Sequence, residues 1–216
     1  MAAPRSPRGR ARLTNERLAV EYPEATCELD HSNAFELLCA TILSAQCTDA
    51  RVNMVTPELF TRWPDASSLA DADPVEVAEV IRSTGFFQAK TRNLQRMAAR
   101  VTETFGGAVP STMEDLTSLA GVGRKTANVV RSVALGLPGL PVDTHVLRLS
   151  KRLRLTEETD PVKVERDLNA MIPAAERGEF SLRLILHGRR ACFARSPACE
   201  RCALADFCPA LRAGSI

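Results

Sequence analysis

Aromatic residues are scarce: eight Phe, one Tyr and one Trp make up 5% of 216 residues. Sustained period-two alternation is also hard to find, so the signature of a strand-rich sandwich or barrel is missing. No stretch approaches the ~18 consecutive apolar residues of a membrane-spanning helix. The N-terminal MAAPRSPRGRARL is basic, but no apolar segment follows it, so it does not read as a secretory signal. Its Arg-rich, Ser-containing, acid-free composition leaves an organellar transit peptide open, with the cytoplasm of a bacterium the expected setting. No internal repeat is visible, and no low-complexity linker beyond the first dozen residues. What remains is 45% hydrophobic and 25% charged, a globular balance, at a length that suits one large domain or two small interleaved ones.

The net charge is only +2, yet it is unevenly spread. Residues 1–12 hold four arginines and no acid, and residues 145–216 hold 13 basic against 9 acidic side chains. The stretch between them holds 11 basic against 17 acidic. Basic ends around an acidic middle favour a polyanion as partner. Cysteine is uneven as well. Cys27, Cys39 and Cys47 are scattered and read as small core residues, whereas Cys192, Cys199, Cys202 and Cys208 fall within 17 residues, spaced C-x6-C-x2-C-x5-C. Without a secretory signal, such a cluster means metal more often than disulfides, and four thiolates in one loop suit either tetrahedral zinc or a cubane iron–sulfur cluster.

Helix signals dominate the middle of the chain. Asn33 with Glu36 reads as a cap and its return partner, opening an apolar stretch from Phe35 to Ile42. Asp73-Pro74 and Asp160-Pro161 read as N-caps followed by proline at the first helical position. Ser111 with Glu114 repeats the capping-box pattern, and Pro57 is expected to break a helix between Asp49 and Trp63. The expectation is an all-α protein of about ten short helices.

The most informative segment is LTSLAGVGRKTANVV, residues 116–130. A helix ends at Gly121-Val122-Gly123 and a second begins at once with Arg124. The glycines permit positive φ and close backbone approach, and the start of the second helix is an anion site. This is the helix-hairpin-helix pattern that grips a DNA phosphate. A nucleotide-binding P-loop is excluded, because Arg124 stands where that motif needs glycine. Lys125 lies in the first turn, where the helix dipole and Arg124 both disfavour an ammonium, which makes it a candidate amine nucleophile. The segment Pro141-Val142-Asp143-Thr144-His145 follows. A helix from Arg124 to Leu135 is ~18 Å long, and the seven residues after it can span ~23 Å, enough for Asp143 to return toward Lys125. Asp143 reads as an N-cap whose carboxylate can stabilise a developing cation. His145 reads as a supporting residue or phosphate contact.

GVGRKTANVV, with VDTH placing its aspartate 18 residues after the lysine, resembles the endonuclease III family of bifunctional DNA glycosylases. LLCATILSAQCTDARVN (37–53) is similar to that family's N-terminal helix-turn segment, and LILHGRRACFARSPACERCALADFC (184–208) to its iron–sulfur tail. The resemblance covers roughly residues 14–210. It implies an all-α, two-lobed helix-hairpin-helix glycosylase fold: a six-helix barrel lobe over about 27–137, and an iron–sulfur lobe from 1–26 plus 138–216, with 1–12 as a flexible basic tail. It implies a [4Fe–4S] cluster on Cys192, Cys199, Cys202 and Cys208, with Arg195 facing a phosphate from the loop they fix.

The reaction it implies is base excision. The partner is double-stranded DNA containing oxidised bases or abasic sites, and the enzyme is a monomer. Lys125 would attack C1′, the oxidised pyrimidine would leave, and β-elimination from the Schiff base would cut the strand. Asp143 would stabilise the sugar. Gly121, Val122, Gly123, Arg124 and His145 would contact DNA. Gln46 and Phe86, the latter where relatives commonly carry leucine, would fill the gap left by the extruded nucleotide. Two rivals differ in kind. An adenine-mismatch glycosylase would share hairpin and cluster but typically lacks the lysine and carries a further domain. A non-enzymatic, metal-stapled DNA-binding module would need no lysine–aspartate pair.

Overall fold

The computed structural model describes residues 4–215. Among them no strand occurs; the regular structure is helical. Twelve α-helices follow in order: α1 (Pro7–Glu21), α2 (Ala34–Leu43), α3 (Asp49–Arg62), α4 (Ala66–Ala70), α5 (Pro74–Ile81), α6 (Phe87–Phe105), α7 (Met113–Thr117), α8 (Arg124–Val129), α9 (Thr144–Arg152), α10 (Pro161–Asn169), α11 (Arg177–Arg190) and α12 (Pro209–Arg212). The chain divides into two compact units, one spanning Cys27–Leu137 and the other formed by Met1–Thr26 with Pro138–Ile216.

In the continuous unit, α2 is the buried element. Asn33 accepts from the Glu36 amide at 2.9 Å, and the Glu36 carboxylate takes the Ser32 amide at 2.6 Å. Leu37, Leu38, Cys39 and Leu43 are fully buried, so α2 is apolar nearly all round, as a central helix must be. The 19-residue α6 lays Thr91, Leu94, Met97, Ala98 and Val101 along one face against α2, α4 and α5. The α7–α8 hairpin is anchored in the same core by Leu116, Leu119, Val122, Ala127 and Val130.

Two local expectations fail here. Pro57 does not break α3, which runs on from Asp49 to Arg62. The proline lies on the exposed face, where the hydrogen bond it removes would have faced water, while Val52, Val55, Thr56 and Leu59 hold the opposite face in the core. The cap of α7 is Thr112 rather than Ser111, its hydroxyl accepting from the Asp115 amide at 3.0 Å. Burial of Leu116 sets that register one residue later.

The second unit is built on α11, flanked by α1 and α9. Phe180 is its largest fully buried side chain, surrounded by a core that includes Leu18, Leu140, Leu149, Leu168 and Leu184. The expected flexible basic tail is corrected in part; residues 1–3 lie outside the described residues. From Pro7 the chain is helical, with Ser6 accepting from the Gly9 amide at 3.1 Å. Arg10 is buried and donates to the carbonyls of Leu153 at 2.8 Å and Arg154 at 2.6 Å, and Arg8 donates to Ala170 at 2.7 Å. These arginines satisfy carbonyls at the C-terminal ends of α9 and α10.

Truncation of Phe180 to alanine should remove about 3–5 kcal/mol of stability in urea unfolding, the cost of a large aromatic lost from a closed core. Val20→Ala, at a position 83% exposed, should stay within about 0.5 kcal/mol.

Candidate functional site

In the continuous unit the hairpin between α7 and α8 is a tight turn with unequal glycines. Gly121 has φ +77, and a Cβ there would stand 3.1 Å from Asn93 Cβ. Gly123 has φ −94 and ψ 176, an extended geometry open to any residue, so the expectation of positive φ holds for Gly121 only. A Cβ at Gly123 would meet nothing within 4 Å. Gly123 is the N-cap of α8 and supplies no side-chain cap. Val122 is buried in the core below, while Arg124 and Lys125 are exposed in the first turn of α8. Lys125 acts electrostatically on Cys27, whose thiol burial pushes up against the lysine's charge. Beyond Val129 the helix widens into a π segment, Val130–Ala134, with the Leu135 amide donating to Val130 O at 3.1 Å. Nothing in the sequence reading signalled that widening.

Two further residues of this unit share an unusual backbone. Gln46 and Phe86 are non-glycine residues at φ +54 and +48, in the left-handed region that side chains avoid. Both are exposed, Phe86 to 68%, whereas Phe87 packs against the core. A large apolar side chain is thus held out into water on a backbone that side chains avoid.

In the other unit, Asp143 caps α9 with a single oxygen that accepts from the amides of His145 and Val146, both at 2.8 Å. His145 is half-buried, its Nδ1 3.1 Å from Arg148 Nη2. It lies over Gly188 of α11, where a Cβ would come within 2.7 Å of His145 Nδ1. Arg148 and Arg152, one turn apart on α9, hold the loop after α11. Arg148 donates to the carbonyls of Gly188 at 2.9 Å and Cys192 at 3.0 Å; Arg152 donates to Phe193 O at 2.7 Å and Ala194 O at 3.1 Å. Arg195 and Ser196 form the exposed tip, Ser196 at φ +50. Sequence reasoning missed Arg148, Arg152 and Gly188. The i, i+4 arginine pair following VDTH and the HG dipeptide of α11 were the available signals.

Cys192, Cys199, Cys202 and Cys208 are all free thiols. Burial pushes Cys202 up to about 11, and Cys192, Cys208 and Cys199 each add to that rise. Cys199 is raised by burial and then by Cys192 and Cys208. Four mutually repelling thiolates form a donor set that only bound cationic metal makes favourable. Among the described residues no three His, Cys, Asp or Glu side chains gather around one point tightly enough for a single ion. Donors to sulfur are in place: Arg152 Nη1 is 3.1 Å from Cys192 Sγ and the Leu204 amide 3.4 Å from Cys202 Sγ, with His187 Nε2 lying 3.3 Å from the same sulfur. Burial lowers the buried His187 to about 4, and Tyr22 Oη lies 3.2 Å from its Nδ1. Hydrogen-bonded sulfurs in a half-buried loop fit an iron–sulfur cluster.

Residues 39–174 match the model of the HhH-GPD superfamily base excision DNA repair protein, and residues 192–208 match the iron–sulfur binding domain of endonuclease III. The chain is 54% identical over 193 residues to endonuclease III of Synechocystis sp. (strain ATCC 27184 / PCC 6803 / Kazusa), covering 89% of this chain and 88% of that one. It belongs to the endonuclease III family. Two solved structures, each 41% identical with a TM-score of 0.90, share its fold. One is a non-covalent endonuclease III–DNA complex, covering 96% of this chain and 97% of that one. The other is a trapped endonuclease III–DNA covalent intermediate, covering 97% and 99%. As a member of the endonuclease III family, the chain is a base-excision DNA glycosylase and abasic-site lyase whose fold is all-α and whose cofactor is a [4Fe–4S] cluster.

Gly188→Ala should push His145 and Arg148 off α11. The expected loss is about 1–3 kcal/mol in denaturant unfolding, the range for overpacking a closed site. Alanine at Gly123 should leave unfolding unchanged.

Proposed function

We propose that this endonuclease III family member excises oxidised pyrimidines from duplex DNA through an amine on Lys125, assisted by Asp143, working in the bacterial cytoplasm where that DNA lies. The observation that carries the reading is the exposed Lys125 in the first turn of α8, directly behind a turn whose Gly123 leaves the helix start without a side-chain cap. The capture of a relative 41% identical as a covalent intermediate with DNA supports a nucleophile of the protein's own.

The Lys125 amine attacks C1′ of the damaged nucleotide through its nitrogen lone pair. The glycosidic bond breaks, and the base departs with the bonding electrons and takes up a proton. The nitrogen on C1′ gives up a proton, and as its lone pair forms the Schiff base the C1′–O4′ bond breaks, O4′ keeping the electron pair and taking up a proton. That iminium acidifies C2′; loss of a C2′ proton expels the 3′ phosphate oxygen, cutting the strand on the 3′ side. The Asp143 carboxylate stabilises cationic character at the sugar as the base leaves, with its other role fixed by the start of α9.

The remaining assignments are binding roles. The Gly121–Arg124 hairpin grips a phosphate at the start of α8, its Val122 amide being held by Leu119 O at 3.2 Å to shape the turn. Gln46 and Phe86 occupy the space vacated by the extruded nucleotide, Phe86 as an apolar wedge. His145 and Arg195 contact the backbone. Cys192, Cys199, Cys202 and Cys208 hold the cluster, which orders the tail loop and thereby Arg195.

The two glycines separate fold from grip. Gly121→Val should destabilise the turn and weaken binding to undamaged duplex. Gly123→Val should leave the unfolding midpoint near wild type yet weaken binding to the same duplex, because its side chain fills only the space a phosphate would take. Wild-type duplex binding by a folded Gly123→Val would remove the phosphate grip.

Lys125→Gln should abolish excision and borohydride-trapped adducts while duplex binding survives. Loss of a mere phosphate contact would instead weaken binding and lower the salt slope by about one. Asp143→Asn keeps a capping oxygen, so folding should survive. Excision should fall on the order of a hundredfold or more, as for other lost electrostatic stabilisers. Cleavage of a preformed abasic site should fall less, since its aldehyde condenses with an amine without glycosidic cleavage. Excision by Lys125→Gln at the wild-type rate would contradict the mechanism.

A further inference from the structure

The mechanism makes no use of Lys90, yet this lysine is 4% exposed and has an unusual pair of partners. Its Nζ donates to Leu43 O at 2.8 Å and to Thr84 O at 2.7 Å, both bonds buried. Leu43 is the last residue of α2, and Thr84 the last of a 3-10 turn, Arg82–Thr84. One ammonium therefore satisfies carbonyls at two helical C-termini that are 41 positions apart in sequence. Three residues after Leu43 stands Gln46, and two after Thr84 stands Phe86, both exposed and both at positive φ. Lys90 itself sits one turn into α6, its amide donating to Phe86 O at 3.0 Å.

We propose that Lys90 is the positioning residue for both DNA-invading side chains, fixing the Gln46 loop and the Phe86 loop at one separation through a shared ammonium. This rests on the reading of Gln46 and Phe86 as the pair that fills the vacated helix. A buried cation is a costly clamp, and burial does lower the Lys90 ammonium, against an opposing pull from nearby Cys47. An apolar residue would fill the volume at less cost. It would leave two helix ends unsatisfied and two left-handed residues free to relax. A short positive φ segment persists only when its surroundings over-determine it, and Lys90 supplies one determinant common to both loops.

The experiment compares affinity for a duplex holding a tetrahydrofuran abasic analogue with affinity for the same duplex undamaged, in the full chain with its cluster. Phe86→Ala should lower that ratio by about tenfold or more. Lys90→Met, of similar volume, should lower it as much while binding to undamaged duplex and its salt slope persist. The double variant should be no worse than Lys90→Met alone, since freeing both loops already removes the Phe86 wedge. Val101→Ala, three turns further along α6 and fully buried, is the control for general destabilisation and should keep the ratio. If Lys90→Met does not fold, Lys90→Gln carries the test. Its amide can reach one carbonyl, and the loss should be intermediate. A full ratio in Lys90→Met or Lys90→Gln beside a reduced one in Phe86→Ala would overturn the proposal alone. A full ratio in Phe86→Ala would overturn the wedge reading and take the proposal with it. A ratio lost equally in Val101→Ala would reduce Lys90 to a core residue.

Discussion

Helix ends govern this molecule. Each helix leaves about four amides and four carbonyls without intrahelical partners, and a fold of many short helices has many such ends. Eight of the twelve begin with a side-chain acceptor: Ser6, Asn33, Thr48, Asp65, Asp73, Thr112, Asp143 and Asp160. Four do not. Of these, α11 continues from a 3-10 turn, and α12 opens at Cys208. The other two are α6, opening at Phe86, and α8, opening at Gly123. The helices without a polar cap thus include α6 and α8, whose starts are proposed to meet DNA, whereas α9 keeps its cap because the capping carboxylate of Asp143 is itself proposed to act on the sugar.

The carbonyl ends follow a complementary logic. Cations satisfy them: Arg8 and Arg10 at α10 and α9, Arg148 and Arg152 at the end of α11 and the loop beyond, and Lys90 at α2. Part of the basic charge therefore serves the fold's own carbonyls, and the modest net charge is a poor guide to the surface that faces a phosphate. The cysteine tail has only single 3-10 turns and α12 of its own, too little core to order itself. The α9 arginines hold the carbonyls of Cys192, Phe193 and Ala194, Leu204 and Phe207 pack into the second core, and a cluster on the four cysteines would tie the tail together.

Elements with a strong local cause were legible in the sequence. Asn33, Asp73, Asp143 and Asp160 cap where their spacing says they should, because the N-cap bond depends on residues two or three apart. The hairpin and the cysteine cluster were legible for the same reason. Pro57 was misread because the apolar face of α3 outweighs a missing bond on its wet side, a tertiary effect. The N-terminal arginines were misread because their carbonyl partners lie more than 140 positions away. Lys90 was invisible for that reason too: its partners are 47 and 6 positions off, and nothing in AKTRN distinguishes a buried clamp from a surface charge. The positive φ of Gln46 and Phe86 had no local signal, since neither residue type favours it.

The central chemical claim is that one particular amine bonds to the sugar. The most direct measurement is peptide mapping of the borohydride-reduced conjugate formed with a thymine-glycol duplex. The account predicts that the sugar fragment is found on the peptide containing Lys125, with the remaining lysines and the N-terminal amine unmodified. A conjugate carried mainly on any other amine would contradict it.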